Sequence, residues 1–243
     1  KMGGLWKQIP YTYAGMLIGS LALTGFPLTA GFYSKDLIIE STFVGHNMFA
    51  GYGFVLTVAA ALLTAFYSWR LLFMTFHGKT RAPADTFKHA HESPWTMLVP
   101  LGVLSLGALA AGAVFVHDFE SALDGHFWDG SLFASAANHV LHAIHDLPGW
   151  VPIAPTIAML VGFFVALVSY VLVPTIPKRF IETLPRTHRF FLNKWYFDEI
   201  YEWMFVKPAR QLGTLFWTND QKVIDGVGPD GIAARVKNLA SYA

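Results

Sequence analysis

Between Pro10 and about Glu40 the chain is almost wholly apolar or small, yet the run carries Lys35 and Asp36 and is interrupted by Gly25, Pro27 and Gly31. At 1.5 Å of rise per residue this is longer than one straight helix needs to cross about 30 Å of hydrocarbon. Pro27 removes an amide donor and its ring clashes with the preceding turn, so the run is predicted to fold as two half-helices. They cover about Tyr11 to Thr24 and about Phe32 to Phe43. A charged side chain at the centre of a membrane helix costs roughly 2.5 to 3.5 kcal/mol on insertion scales, so Lys35 needs a partner, a wet cavity or a path to the surface. Broken helices are tolerated only against protein or water. Lys35 and Asp36 are therefore the candidate site, with a headgroup anchor paired to Asp36 or Glu40 as the plainer reading.

The rest of the chain fits a membrane setting. Of 243 residues, 54% are hydrophobic and 14% charged, the balance of an all-α integral membrane protein rather than of an average soluble domain. A net charge of +1 offers no basic patch dense enough to neutralise a run of phosphates, so nucleic acid is not an expected partner. Cysteine is absent, which excludes disulfides, thiolate zinc sites and iron-sulfur ligation by this chain. The chain starts at Lys1 without a signal-peptide pattern and is read as a fragment.

Residues 1–176 read as a transmembrane bundle, with the broken span at about 10–43 followed by spans at 52–76, 98–116 and 153–173. The third is rich in Gly and Ala, which suits close helix approach where lipid supplies no hydrophobic drive for association. Lys1 and Lys7, then Lys79, Arg81 and Lys88, then Lys178, Arg179, Arg186, Arg189 and Lys194 fall in alternate connections. The stretch His117 to Val151 has neither Lys nor Arg. The positive-inside rule puts the basic connections on the cytoplasmic or matrix side, and four crossings agree with that parity. Within the outer connection, Phe133, Ala136, Ala137, Val140, Leu141 and Ile144 follow a helical template, predicting a surface helix at about 132–146. Its His139, His142 and His145 read as a solvated face, because no carboxylate or thiolate closes a metal-binding set. Arg70 reads as a snorkelling anchor. Thr57, Thr64, Tyr67 and Ser68 could line a polar path or serve helix-helix hydrogen bonds.

Residues 177–194 read as a basic linker and 195–243 as a lateral amphipathic helix with an extension. From Trp195 to Trp217, Asp198, Glu199 and Glu202 share one arc of the wheel, while Lys207, Arg210, Gln211 and Thr214 share another, with Pro208 between. Such a segment lies in the membrane plane or across other subunits. Asp220 to Gly231, with Gly226, Gly228, Pro229 and Gly231, is predicted to be irregular and turn-rich.

Met2-Gly-Gly-Leu5, Gly31-Phe-Tyr-Ser-Lys-Asp36, Phe76-His-Gly78, Lys194-Trp-Tyr-Phe-Asp-Glu199 and Phe205-Val-Lys-Pro208 together resemble a known family. It is that of the largest antiporter-like membrane subunits of respiratory complex I, NADH-quinone oxidoreductase, in its bacterial and mitochondrial forms, and the resemblance is to their C-terminal part. It implies a proton-relay lysine in a broken helix of the outward half-channel, carried onto Lys35 with Asp36 as partner or relay. It also implies a lateral helix from near Trp195 running past adjacent antiporter-like subunits of the membrane arm. Together with the lipid bilayer, these are the partners it implies. The resemblance implies no cofactor in this chain, with NADH, FMN, iron-sulfur clusters and quinone held by partner subunits. The implied location is the bacterial inner membrane, or alternatively the mitochondrial one. A cation/proton antiporter subunit of the same ancestry is the other function it allows. A charge taken out of water is disfavoured and an opposite charge nearby restores it, so moving or screening a carboxylate can switch an amine between holding and releasing a proton.

Overall fold

The computed structural model describes residues 2–45, 47–120, 127–129, 131–132 and 139–242, which divide into two compact units at Lys178. In the first, the interrupted run folds as α1 (Pro10–Thr24) and α2 (Ala30–Val44), 15 residues each. Each is about 22 Å long, too short to cross a bilayer alone. A single helix, α3 (Ala50–Phe76), follows, then a short α4 (Ala84–Lys88) and α5 (Trp95–Glu120), which continues through Pro100. After α6 (Val140–Ala143) comes α7 (Ile153–Leu167), prolonged by a π-helical turn, Val168–Leu172. Three of these helices are long and apolar enough to span a membrane: Ala50–Phe76, Trp95–Phe119 and Ile153–Leu172. Of the surface helix expected at about 132–146, residues 133–138 lie outside the described residues. What is described of it is α6 and the 3-10 turn Ile144–Asp146.

The bundle is closed mainly by α3 against α7. Ala65, Trp69, Leu72 and Phe76 of α3 are buried with Met159 and Ala166 from the other side. The approach is close because Gly162 has no side chain: a Cβ there would lie 2.5 Å from the Leu62 carbonyl oxygen and 2.8 Å from the Ala65 Cβ. Small residues permit this contact where lipid gives helices no reason to associate except packing. At the other end of α3, Ile39, Phe54, Ala61, Val151 and Ala158 form a second cluster. It is capped by Phe43, Phe54 and Trp150, three rings meeting edge to face at 5.1 to 5.6 Å, the arrangement their quadrupoles prefer. The small residues of α5 are used unevenly. Gly112 packs on Ala30 and Tyr33 of α2, whereas Gly102 and Gly107 meet nothing within 4 Å.

The stretch 177–194, read from the sequence as a basic linker, is mostly helical. It folds as α8 (Ile176–Thr183), which straddles the boundary between the units, and α9 (Pro185–Leu192). Pro185 opens its helix at the first position, where a missing amide costs nothing, so the prolines start helices here instead of breaking them. A turn at Lys194–Tyr196 follows, then α10 (Phe197–Tyr201), a π-helical turn Glu202–Val206 and α11 (Lys207–Asn219). One expectation is corrected here: 220–231 is not turn-rich. A π-helical turn, Asp220–Asp225, carries the helix on towards α12 (Pro229–Ala240). The Gly228 amide donates to Ile224 (2.9 Å) and the Ile232 amide to Gly228 (2.9 Å). The glycines serve close approach, since a Cβ on Gly228 or Gly231 would strike the carbonyl of Ile224 or Gly226 respectively.

Lys194, Trp195 and Tyr196 have φ of 51°, 62° and 59°, three consecutive side-chain-bearing residues in the left-handed region, each costing about 1 to 2 kcal/mol. The turn is held by ring contacts from Phe190 and Phe191 to Trp195 (5.2 and 5.6 Å) and by a Lys194–Asp198 ion pair (2.6 Å). Large apolar side chains of this unit stay exposed, Trp203, Phe216 and Trp217 among them.

Candidate functional site

The helix break is built by α1 ending in a Schellman motif. Gly25, at φ 79°, donates to Ala22 (3.2 Å), and Phe26 donates to Leu21 (3.0 Å). The left-handed residue favours glycine, and Lys35 Cδ and Nζ would lie 3.5 and 3.7 Å from a Cβ placed on it. Pro27 and Leu28 follow, the latter also with positive φ (71°). Thr29 then returns both its amide (3.1 Å) and its hydroxyl (2.7 Å) to the Phe26 carbonyl. Gly31 lets α2 start directly against α1, since a Cβ there would overlap the carbonyl of Ala22.

This motif satisfies the carbonyls of Leu21 and Ala22, and the Leu23 carbonyl takes a partner from beyond the break. The Lys35 ammonium, half-buried in the second turn of α2, donates to Leu23 O at 2.7 Å. Asp36 is half-buried beside it, with Glu40 one turn further along the same helix. The sequence pointed to Lys35 and Asp36. It did not point to the Leu23 carbonyl, because a backbone acceptor exposed by a helix break leaves no mark in residue types.

Lys35 opens onto a cavity of about 350 Å³ lined by Leu23, Ser34, Thr57, Ala60 and Thr64, among others. Two hydroxyl residues of α3, Thr57 and Thr64, thus reach the site that α1 and α2 form. Thr57 Oγ1 lies near the carbonyls of Gly53 (3.0 Å) and Phe54 (2.9 Å) and 3.5 Å from Thr42 Oγ1 of α2. Thr42 in turn lines a further cavity with Ser41 and Asn47. Tyr67 and Ser68 line a different cavity, between α1, α3 and α5. Arg70 is exposed and stacks over the Tyr170 ring at 5.5 Å. Among the described residues no group of three or more His, Cys, Asp or Glu could hold a metal ion.

A second residue without a sequence signal is Glu92. From the loop before α5 it reaches the free N-terminus of α1, accepting from the amides of Tyr11 (2.8 Å) and Thr12 (3.3 Å) and from the Thr12 hydroxyl (2.5 Å). These first amides have no partner within their own helix. Burial would raise the Glu92 carboxyl, but hydrogen bonds from the Thr12 hydroxyl and the amides of Tyr11, Ser93 and Thr12 outweigh it and hold it below its usual value. One end of α1 is thereby pinned by Glu92, while the other presents the carbonyl that holds Lys35.

Comparison with known proteins agrees with this architecture. A family model described as NADH:quinone oxidoreductase/Mrp antiporter, TM, matches residues 1–64, the segment containing the broken helix. NADH-quinone oxidoreductase subunit L of Rhodobacter capsulatus is 38% identical over 92% of this chain and 40% of its own length. The corresponding protein of Rickettsia bellii is 36% identical over 97% of this chain and 36% of its own length. NADH-ubiquinone oxidoreductase chain 5 of Marchantia polymorpha is 34% identical over 99% of this chain and 36% of its own length. The chain therefore spans 36 to 40% of the length of these relatives. The broken helix bearing Lys35 lies in the segment that the family model matches, and over nearly its whole length the chain is similar to part of subunit L and chain 5 of NADH-quinone oxidoreductase.

Proposed function

We propose that this chain is part of a proton-translocating membrane-arm subunit of an NADH-quinone oxidoreductase, and that Lys35 is a proton relay within it. The observation that carries the reading is the Lys35 ammonium held on the Leu23 carbonyl at a helix break, facing a cavity with Thr57 and Thr64. An ammonium on a carbonyl can give its proton only to a mobile acceptor, and a cavity with hydroxyls on its wall can hold the water that serves as one. Asp36 and Glu40, on the same face of α2, supply negative charge whose movement or screening shifts the balance between the charged and neutral amine. The outward route then runs past Thr57 and Thr42 to the cavity lined by Ser41 and Asn47.

The chain offers no redox chemistry in this reading: NADH, FMN, iron-sulfur clusters and quinone belong to partner subunits. The unit from Arg179 onward acts as a brace, its exposed Trp203, Phe216 and Trp217 packing on neighbouring antiporter-like subunits or on lipid. The membrane is the bacterial inner membrane or the mitochondrial one. Because the matching family description also covers the Mrp antiporter, cation/proton exchange is the second reading. Proteoliposomes carrying the assembled complex separate the two. Acidification that requires NADH and is diminished by Lys35→Met supports the pump, whereas sodium-for-proton exchange without an electron donor, diminished by the same substitution, supports the antiporter.

A further inference from the structure

A cavity of about 430 Å³ lies between α1, α3 and α5, lined by Gly15 and Gly19, by Leu23, and by three serines, one from each helix: Ser20, Ser68 and Ser105. Ser20 and Ser68 are buried, at 7% and 4% exposure. Ser105 gives its proton to the Leu101 carbonyl (2.7 Å), leaving its oxygen able to accept. The Ser68 hydroxyl is fully enclosed and has no hydrogen-bond partner. A serine in mid-helix ordinarily returns its hydroxyl to the carbonyl four residues back, as Ser34, Ser41 and Ser105 do here. A buried orphan hydroxyl on a cavity shared with two others marks a place for water, and the volume admits several molecules at about 30 Å³ each.

The cavity also adjoins that of Lys35. Thr64 and Ser68 are one turn apart on α3, the first lining the Lys35 cavity and the second lining this one. Leu23 is common to both walls. Its carbonyl holds Lys35, and the residue, one turn beyond Ser20 on α1, lines both cavities.

We propose that the cavity between α1, α3 and α5 is a water site held by Ser20, Ser68 and Ser105, and that the Leu23 side chain is the apolar partition between this water and the Lys35 cavity. The partition keeps a second hydrated compartment from short-circuiting the lysine. That part rests on the relay reading of Lys35, whereas the water site does not.

Two measurements on the assembled complex test it. The first exploits the absence of cysteine from this chain. Ser68→Cys is labelled with the small water-soluble reagent 2-aminoethyl methanethiosulfonate and read by mass on this subunit, against Ser169→Cys, a buried serine in the π-helical turn after α7. A wet cavity predicts labelling at Ser68→Cys roughly tenfold faster or more, since only a solvated thiolate reacts. Equal protection of the two thiols overturns the water site. The second measures passive proton conductance of proteoliposomes after an acid pulse, without NADH. Leu23→Ser and Leu23→Ala, in complexes shown to be assembled, raise it several-fold while Leu23→Ile does not. Unchanged conductance in both overturns the partition. Neither readout depends on pumping, so a failure of Lys35 as relay, seen as normal proton stoichiometry in Lys35→Met, is distinguishable from a failure here.

Discussion

The Lys35 ammonium donates to the Leu23 carbonyl 2.7 Å away, across the break that separates α1 from α2. The bond joins the half-helix that carries the charge to the half-helix that ends in front of it. Whatever moves α1 relative to α2 changes the environment of the lysine, and the residues that fix this relation are open to test.

Gly31 sets the spacing, because a Cβ there would overlap the Ala22 carbonyl. Gly31→Ala forces the half-helices apart and should destabilise the subunit by about 1 to 3 kcal/mol, the usual cost of overpacking a tight contact. Thermal inactivation of the detergent-solubilised complex should show a lower midpoint and proton pumping should fall with it. An unchanged midpoint would mean that the break is more pliable than its geometry indicates.

Glu92 fixes the far end of α1. Glu92→Ala removes the acceptor for the Tyr11 and Thr12 amides and should cost about 1 kcal/mol, as loss of a helix cap does. The pH dependence has a defined sign. Because the folded carboxyl is held below its usual 4.5, its contribution is fully present above that value and is lost as pH falls beneath it through the folded pKa. Comparing wild type with Glu92→Gln from pH 7 down to below 4.5 should show a stability difference that shrinks at the acid end. A difference that grows on acidification would contradict the clamp.

Thr57 stands where the Lys35 cavity meets Thr42. Thr57→Val keeps the shape and removes the hydroxyl, and pumping should slow, while Thr57→Ser should retain most of it. If valine pumps as well as serine at equal assembly, the hydroxyl serves only to bond the carbonyls of its own helix.

The broken helix was readable because proline, glycine and a charge inside a long apolar run leave few alternatives. α1 and α2 begin and end within about two residues of the boundaries inferred from Pro27 and its flanking glycines. Lys35 stood out for the same reason. Its acceptor did not, because the Leu23 carbonyl is made available by backbone geometry at Gly25. Glu92 was equally silent: it caps a helix 80 residues away, and pairing at that distance has no local signature. The region after Val173 misled in the opposite sense. Pro229 and the glycines from Gly226 to Gly231 read as turn-formers, yet the proline opens a helix there and the glycines admit close backbone contacts after a π-helical turn.

The most direct test of the account is the number of protons moved per NADH oxidised by the assembled complex carrying Lys35→Met, with Lys35→Arg as a variant that keeps the charge but scarcely releases its proton. Both should lower the stoichiometry while the subunit remains incorporated. Normal stoichiometry in fully assembled Lys35→Met complex would remove Lys35 from the proton path.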